Sequence, residues 1–236
     1  MTRNQVLREL KSYANDGNKK ILMKHGAKEP FFGVTVADLK TIAKKIRGDQ
    51  DLALELYDTG NGDAMYLAGL VANGSLMTKA ALKKWARNAN WYMLSEYTVA
   101  WVASESEKHG WDLALEWIDS KKENIASSGW ATLGSIMSTR DDKDLDIPKL
   151  RSLLKRVGKE VHKAPNRVRY TMNLFVIIAA TAVKALADEA VKTAERIGKV
   201  EVEMGGTACK VPFAPEYIEK VRKRSGIGKK RKMAKC

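Results

Sequence analysis

Apolar residues recur along this chain at intervals of three and four, and stretches that alternate in twos are scarce. That spacing lines one face of an α-helix, so the pattern predicts a succession of short amphipathic helices. Val6, Leu10 and Tyr13 share a face of the first, which Thr2 caps and Asp16-Gly17 ends. Ile21 to Lys24 form a further turn or two, closed by Gly26. Thr35 and Asp38 have capping-box spacing, and the helix they open buries Val36, Leu39, Ile42, Ala43 and Ile46 before Gly48. More helices are expected at about 50–58, 62–72, 78–87, 91–108, 111–119, 123–137, 147–162, 167–183, 186–198 and 215–224. Gly60, Gly62, Gly74, Gly110, Pro148 and Pro165 punctuate them. Only Val200 to Val211 reads as extended, with a small hairpin expected around Gly205-Gly206.

The helices carry an internal echo. Asp51-Leu52-Ala53-Leu54-Glu55 returns as Asp112-Leu113-Ala114-Leu115-Glu116, followed in each copy by apolar or aromatic residues. Among paired short helices this favours tandem repeats: an all-α solenoid in which each helical pair buries one face on its neighbours. Such a stack offers a long concave surface. One helical domain is expected over residues 1–219, with a basic, disordered tail over 220–236.

Charge sharpens this. Lys and Arg number 42 against 28 Asp and Glu, a net of +14. Nine of the basic residues fall in 220–235 without an acid, and eight more fall in 149–169 with only Glu160. Concentrated positive charge suits a polyanion, because neutralised phosphates release counterions. Charge also repeats at helical spacing in Lys40, Lys44 and Arg47, in Lys79, Lys83 and Arg87, and in Arg151, Lys155 and Lys159. Like charges one turn apart repel by a few tenths of a kcal/mol. Three such stripes point to duplex DNA, whereas any single stripe is ordinary filling of an exposed helix face.

Other chemistry is sparse. Cys209 and Cys236 form neither a disulfide framework nor a zinc site, and His25, His109 and His162 are scattered. No metal-ligand, nucleotide-loop or nucleophile-elbow motif occurs, so no metal and no cofactor is expected. The longest apolar run, Leu174 to Val183, is too short to span a bilayer, and the N-terminus has no signal-peptide core. A cytoplasmic monomer without membrane contact is the expectation.

The aromatic residues supply the remaining candidates. Trp91 and Tyr92 open a helix beside a basic stripe, where they either stack on a base or anchor the core. Trp85, Trp101, Trp111 and Trp117 have core spacing. Trp130 follows Ser127-Ser128-Gly129, small residues that let another chain or a ligand approach closely. Glu96 is the carboxylate nearest Trp91. Arg167, Arg169 and Asn173 are the polar residues of an otherwise apolar helix, where they either bond within the core or line a cleft.

Lys28-Glu29-Pro30-Phe31-Phe32-Gly33-Val34, followed by Asp38 to Lys44, resembles the DNA alkylation repair family, the HEAT-like-repeat alkylpurine DNA glycosylases. Asn90-Trp91, Trp130 and Ile197-Gly198-Lys199-Val200 extend the resemblance, which spans about residues 1 to 220. It implies a helical solenoid holding DNA in a concave basic cleft, without metal or cofactor, and excising N3- or N7-alkylated purines. Aromatic faces would sit near the cationic nucleotide, and a carboxylate would support the developing sugar cation. Two positions depart from the family pattern. Ser95 stands where the catalytic aspartate belongs, with Glu96 beside it, and Ala131-Thr132-Leu133 follows Trp130 where an arginine belongs. Three readings therefore stand together. One is a glycosylase using Trp91 and Glu96. The second is a non-catalytic binder of damaged or branched DNA, and the third is a protein-interaction scaffold. In the first two, the DNA contacts would be the three stripes with Tyr92, Trp130, Arg167, Arg169 and Asn173.

Overall fold

A computed structural model describes residues 1–235 of the chain. The N-terminal region holds α1 (Arg3–Ser12), α2 (Asp16–Lys24), α3 (Val36–Lys45), α4 (Gln50–Asp58) and α5 (Gly62–Val71). The middle holds α6 (Lys79–Asn88), a π-helix (Met93–Val99) running into α7 (Ala100–Glu105), α8 (Gly110–Trp117) and α9 (Glu123–Thr139). The C-terminal region holds α10 (Ile147–Glu160), α11 (Asn166–Ala182), α12 (Ala187–Ile197) and α13 (Ala214–Ser225).

Local chemistry starts these helices where the sequence says it should. Thr2 and Gln5 close a full capping box on α1, and Thr35, Asp49, Asn61 and Thr78 each accept a backbone N–H from their own first turn. Each such cap is worth about 1 kcal/mol. The first helix differs from expectation. It stops at Ser12, and Asp16-Gly17 lies inside α2 because Asn15 caps a new helix there.

The helices stack in two rows. One row contains α4, α6, α8, α10 and α12. The other contains α5, the π-helix with α7, α9, α11 and α13, each packed on the next. Across the rows α4 lies on α5, α8 on α9, and α12 on α11. The echo thus marks the first-row helices α4 and α8 of two repeats. Gly129 lets α9 close on α8, since a Cβ there would meet Ile118 N at 2.7 Å and Ala114 O at 2.9 Å. The small run before Trp130 therefore accommodates a neighbouring helix. Two apolar clusters fill the stack and divide within α8, where Leu113 and Trp117 face one and Ala114 and Ile118 the other. Tyr57 of α4 stacks on Trp85 of α6 at 4.0 Å, a pair worth about 1 kcal/mol beyond its burial.

The architecture is the expected all-α solenoid, with three local corrections. Within the expected 91–108 helix, Met93–Val99 form a π-helix and follow a wider spiral, and the helix ends at Glu105. Val200 to Val211 is extended around a Gly205-Gly206 turn but forms no β-ladder among the described residues. Backbone groups of Glu203 bond instead to the side chain of Asn166 at 2.9 and 2.7 Å, leaving nothing to zip a hairpin. The tail is ordered rather than free. Helix α13 runs through Ser225, and residues beyond it pack on the stack through Lys230, Ala234 and Lys235. No helix among the described residues is long and apolar enough to cross a membrane.

Candidate nucleic-acid interface

Glu96 and Arg167 meet where the π-helix faces the first turn of α11. Arg167 Nε donates to Glu96 Oε1 at 2.7 Å and Nη2 to Oε2 at 2.5 Å. Planar guanidinium and carboxylate match in this two-bond geometry, the strongest form of such a pair. Their side chains are only 15% and 3% exposed. The guanidinium also lies between two aromatic faces, 4.2 Å from the Tyr92 ring centre and 4.4 Å from that of Tyr170. The backbone N–H of Arg167 donates to Glu123 at 2.8 Å, at the start of α9. Burial pushes the Glu96 carboxyl up to about 7, against the pull of Arg167, and Glu123 adds to the rise.

The wider spiral of the π-helix presents Glu96 and Tyr97 together, and such turns recur at functional sites. Tyr97 packs edge-on to Trp101 at 5.5 Å, and burial raises its phenol as well. The ion pair stands between two hollows. One, about 240 Å³, opens beside Tyr92, Arg167, Trp91, His25 and Met204. The other, about 150 Å³, is bounded by Glu96, Tyr97, Trp101, Trp130 and Arg231. A wider hollow, about 960 Å³, lies between Arg169 and the extended segment with Lys199, Glu201, Glu203 and Lys210. Arg169 Nε is buried there without a hydrogen-bond partner.

The sequence-derived candidates separate into groups. Tyr92, Glu96 and Arg167 come together, with Trp91 edge-on to Tyr92 at 5.7 Å but itself only 9% exposed. Arg169 opens on the 960 Å³ hollow. Trp130 and Asn173 do not qualify as DNA contacts. Trp130 is wholly enclosed against Phe175, and Asn173, 1% exposed, donates to the carbonyl of Pro212. Both serve the core, because α9, α11 and α13 press together there.

The three stripes remain at the surface, on α3 and just past its end, on α6 and on α10; α6 and α10 belong to the other row, whereas α3 packs on α5. They are not uniformly available. Lys83 pairs with Glu116 at 2.7 Å and Arg151 with Glu189 at 2.8 Å, bridging successive first-row helices. Lys40, Lys44, Arg47, Lys79, Arg87, Lys155 and Lys159 have no acidic partner among the described residues. Sequence reasoning missed Tyr97 and Glu123, and the bond between Glu96 and Arg167, which joins residues 71 apart. No group of three or more metal-ligating side chains occurs among the described residues.

Comparison with known proteins bears on this arrangement. Residues 6–211 match the family model described as DNA alkylation repair enzyme. An uncharacterized protein of Listeria innocua is 31% identical over 230 residues, covering 95% of this chain and 99% of its own. An uncharacterized protein of Listeria monocytogenes is likewise 31% identical over 231 residues, with the same coverage. One solved structure superposes over the whole of both chains with a TM-score of 0.91 and 37% identity. It is described as a new family of proteins related to the HEAT-like repeat DNA glycosylases with affinity for branched DNA structures.

Proposed function

The chain belongs to the DNA alkylation repair enzyme family, and from that premise we propose that it binds branched DNA without excising bases. The observation that carries this reading is the Glu96–Arg167 pair. A carboxylate that supports a sugar cation or activates water must face the substrate with a free oxygen. Glu96 has both oxygens bound to one guanidinium and a side chain 3% exposed. Ser95, which stands at the family's aspartate position, is buried too and offers no charge. The site is built as a rigid tie between the π-helix and α11 and not as an open acid–base group.

Binding would rest on the positive groups that lack acidic partners. These are Arg169 in the large hollow and the free members of the three stripes. Tyr92 and Tyr170 flank Arg167 as aromatic platforms. A junction presents phosphates in more than one direction, which suits basic groups on both helical rows. The relative's affinity for branched DNA supports extending the same substrate class to this chain.

The test pairs two assays on the full chain. Binding to a four-way junction should exceed binding to linear duplex of equal length, with a steep loss as salt rises. Methylated DNA should release no free base. Equal affinity for both DNAs would remove the branch preference, and base release that disappears in Glu96→Gln would make Glu96 a catalytic group.

A further inference from the structure

One C-terminal segment reaches the ends of α5, α7, α9 and α11, so these C-terminal ends share one rim of the stack. Each end leaves up to four carbonyls without an intrahelical donor and carries about half a negative charge. The chain beyond α13 follows this rim and meets the helices in reverse order. Within α13, Arg222 Nη2 donates to the carbonyl of Ala180 near the end of α11 and to that of Ala187, the first residue of α12, at 3.0 Å each; beyond α13, the N–H of Gly228 donates to Thr181 O in the last turn of α11 at 2.8 Å. At the end of α9, Lys230 Nζ donates to Met137 O at 2.9 Å and the N–H of Arg231 to Ser138 O at 2.7 Å. Lys230 also pairs with Asp142 at 2.8 Å. Lys235 then reaches the Ala72 carbonyl after α5 and pairs with Glu105, the last residue of α7, at 3.0 Å. Ala234 is 3% exposed and belongs to the N-terminal apolar cluster.

We propose that residues 226–235 are a strap that ties the last repeats to the first, with Lys230 and Lys235 serving as donors to helix ends and not as part of a free DNA-binding arm. The strap's composition fits its course. Gly228 packs on the Lys184 side chain with a positive φ, where a Cβ would lie 2.6 Å from it. The ammonium groups of Lys230 and Lys235 fall at helix C-termini, where positive charge is favourable. Small Ala234 enters the core between Met233 and Lys235. A repeat stack is stabilised by contacts between neighbours, so its two ends normally open independently. A bond between Lys235 and Ala72 links residues 163 apart and couples those ends. The inference is independent of the DNA reading, since every contact that carries it is within the chain.

Hydrogen exchange on the full wild-type chain tests it without any variant. The amides of Gly228 and Arg231 should exchange far more slowly than those of a free peptide. A charge swap adds a second measurement. Lys230→Glu should lower the melting temperature by about 3 °C or more, and combining it with Asp142→Lys should recover at least half of that loss. A third readout separates the strap from an arm. The double variant Lys230→Ala, Lys235→Ala should leave the salt dependence of junction binding unchanged. Loss of about one from the salt slope per lysine removed would make the tail an arm. That result, unprotected amides at 228 and 231, an undiminished melting temperature in Lys230→Glu, or a loss the swap does not recover would each overturn the strap.

Discussion

Glu96 binds Arg167 through both carboxylate oxygens across a separation of 71 residues, and the pair joins the π-helix to α11. Both groups are largely withdrawn from water, so each depends on the other for its charge balance. Removing one partner of a buried pair is far costlier than the pair is worth, commonly about 3–5 kcal/mol. Glu96→Ala should therefore lower the urea-unfolding free energy by about that amount. Glu96→Gln keeps an oxygen for Arg167 and should cost less than half as much. Equal losses in the two variants would mean that the carboxylate charge, and not packing, holds this contact.

The same group sets a pH dependence. The Glu96 carboxyl rises from its ordinary 4.5 to about 7, mainly through burial. Between those values the folded chain holds a proton that the unfolded chain releases. Stability therefore falls as pH rises through this window. The comparison that isolates it is wild type against Glu96→Gln, unfolded in denaturant at pH 5 and pH 8. The wild type should gain on the variant at the lower pH. A constant difference would show that Glu96 stays ionised throughout.

Asp63 holds in place the motif on which the family resemblance rests. Its carboxylate accepts the N–H groups of Phe32 at 2.5 Å, Gly33 at 3.1 Å and Val34 at 3.1 Å. Gly62 N–H meanwhile donates to Pro30 O at 2.8 Å, and Phe31 is buried. Residues 28–34 are thus nailed to the start of α5. Asp63→Ala would strand three backbone donors and should cost about 3 kcal/mol, measured by thermal or urea unfolding. Glu96-centred properties such as the pH response should persist in that variant. A change below 1 kcal/mol would mean that water replaces the carboxylate, on the order of a surface substitution.

Much of the fold was legible because helix caps and apolar spacing are local. Thr2, Thr35 and Thr78 start helices where the pattern asks, and Val6, Leu10, Leu39 and Ile42 are buried as their spacing requires. The site was half legible. Tyr92, Glu96 and Arg167 were all singled out, but their association depends on how α11 docks on the π-helix, which no local spacing encodes. The π-helix itself was hidden, since its residues fit an α-helical pattern equally well. Trp130 and Asn173 were misplaced because an aromatic or amide side chain looks alike in a core and in a cleft. The tail misled for a related reason. A lysine-rich segment without apolar periodicity reads as solvated, and its carbonyl acceptors come from helix ends distant in sequence.

Packing against α8 provides a sharper test of the repeat geometry. Gly129 brings α9 to the backbone of α8, and an added methyl would meet Ile118 N and Ala114 O, atoms that cannot turn aside. Helix propensity alone would favour alanine by roughly 1 kcal/mol. Overpacking against backbone costs about 1–3 kcal/mol and opposes it. Gly129→Ala should therefore destabilise the chain on balance, seen as a lower melting temperature. A variant more stable than wild type would show that the two helices slide apart at little cost.

Arg169 offers the most direct check on DNA contact. It lies two residues beyond the Arg167 tie, has no acidic partner among the ion pairs of the described residues, and opens on the 960 Å³ hollow, whose wall also carries Lys210 and the Lys199–Glu201 pair. Lys83 is the contrasting case, since Glu116 already neutralises it at 2.7 Å. If Arg169 meets a phosphate, Arg169→Ala should weaken junction binding and reduce the slope of log affinity against log salt by about one. Its melting temperature should stay close to wild type, because no ion pair is lost. Lys83→Ala should shift the slope by clearly less, as its charge is held within the first row. Matching effects of the two variants would mean that general positive charge draws the DNA, and the hollow beside Arg169 would lose its claim as a contact point.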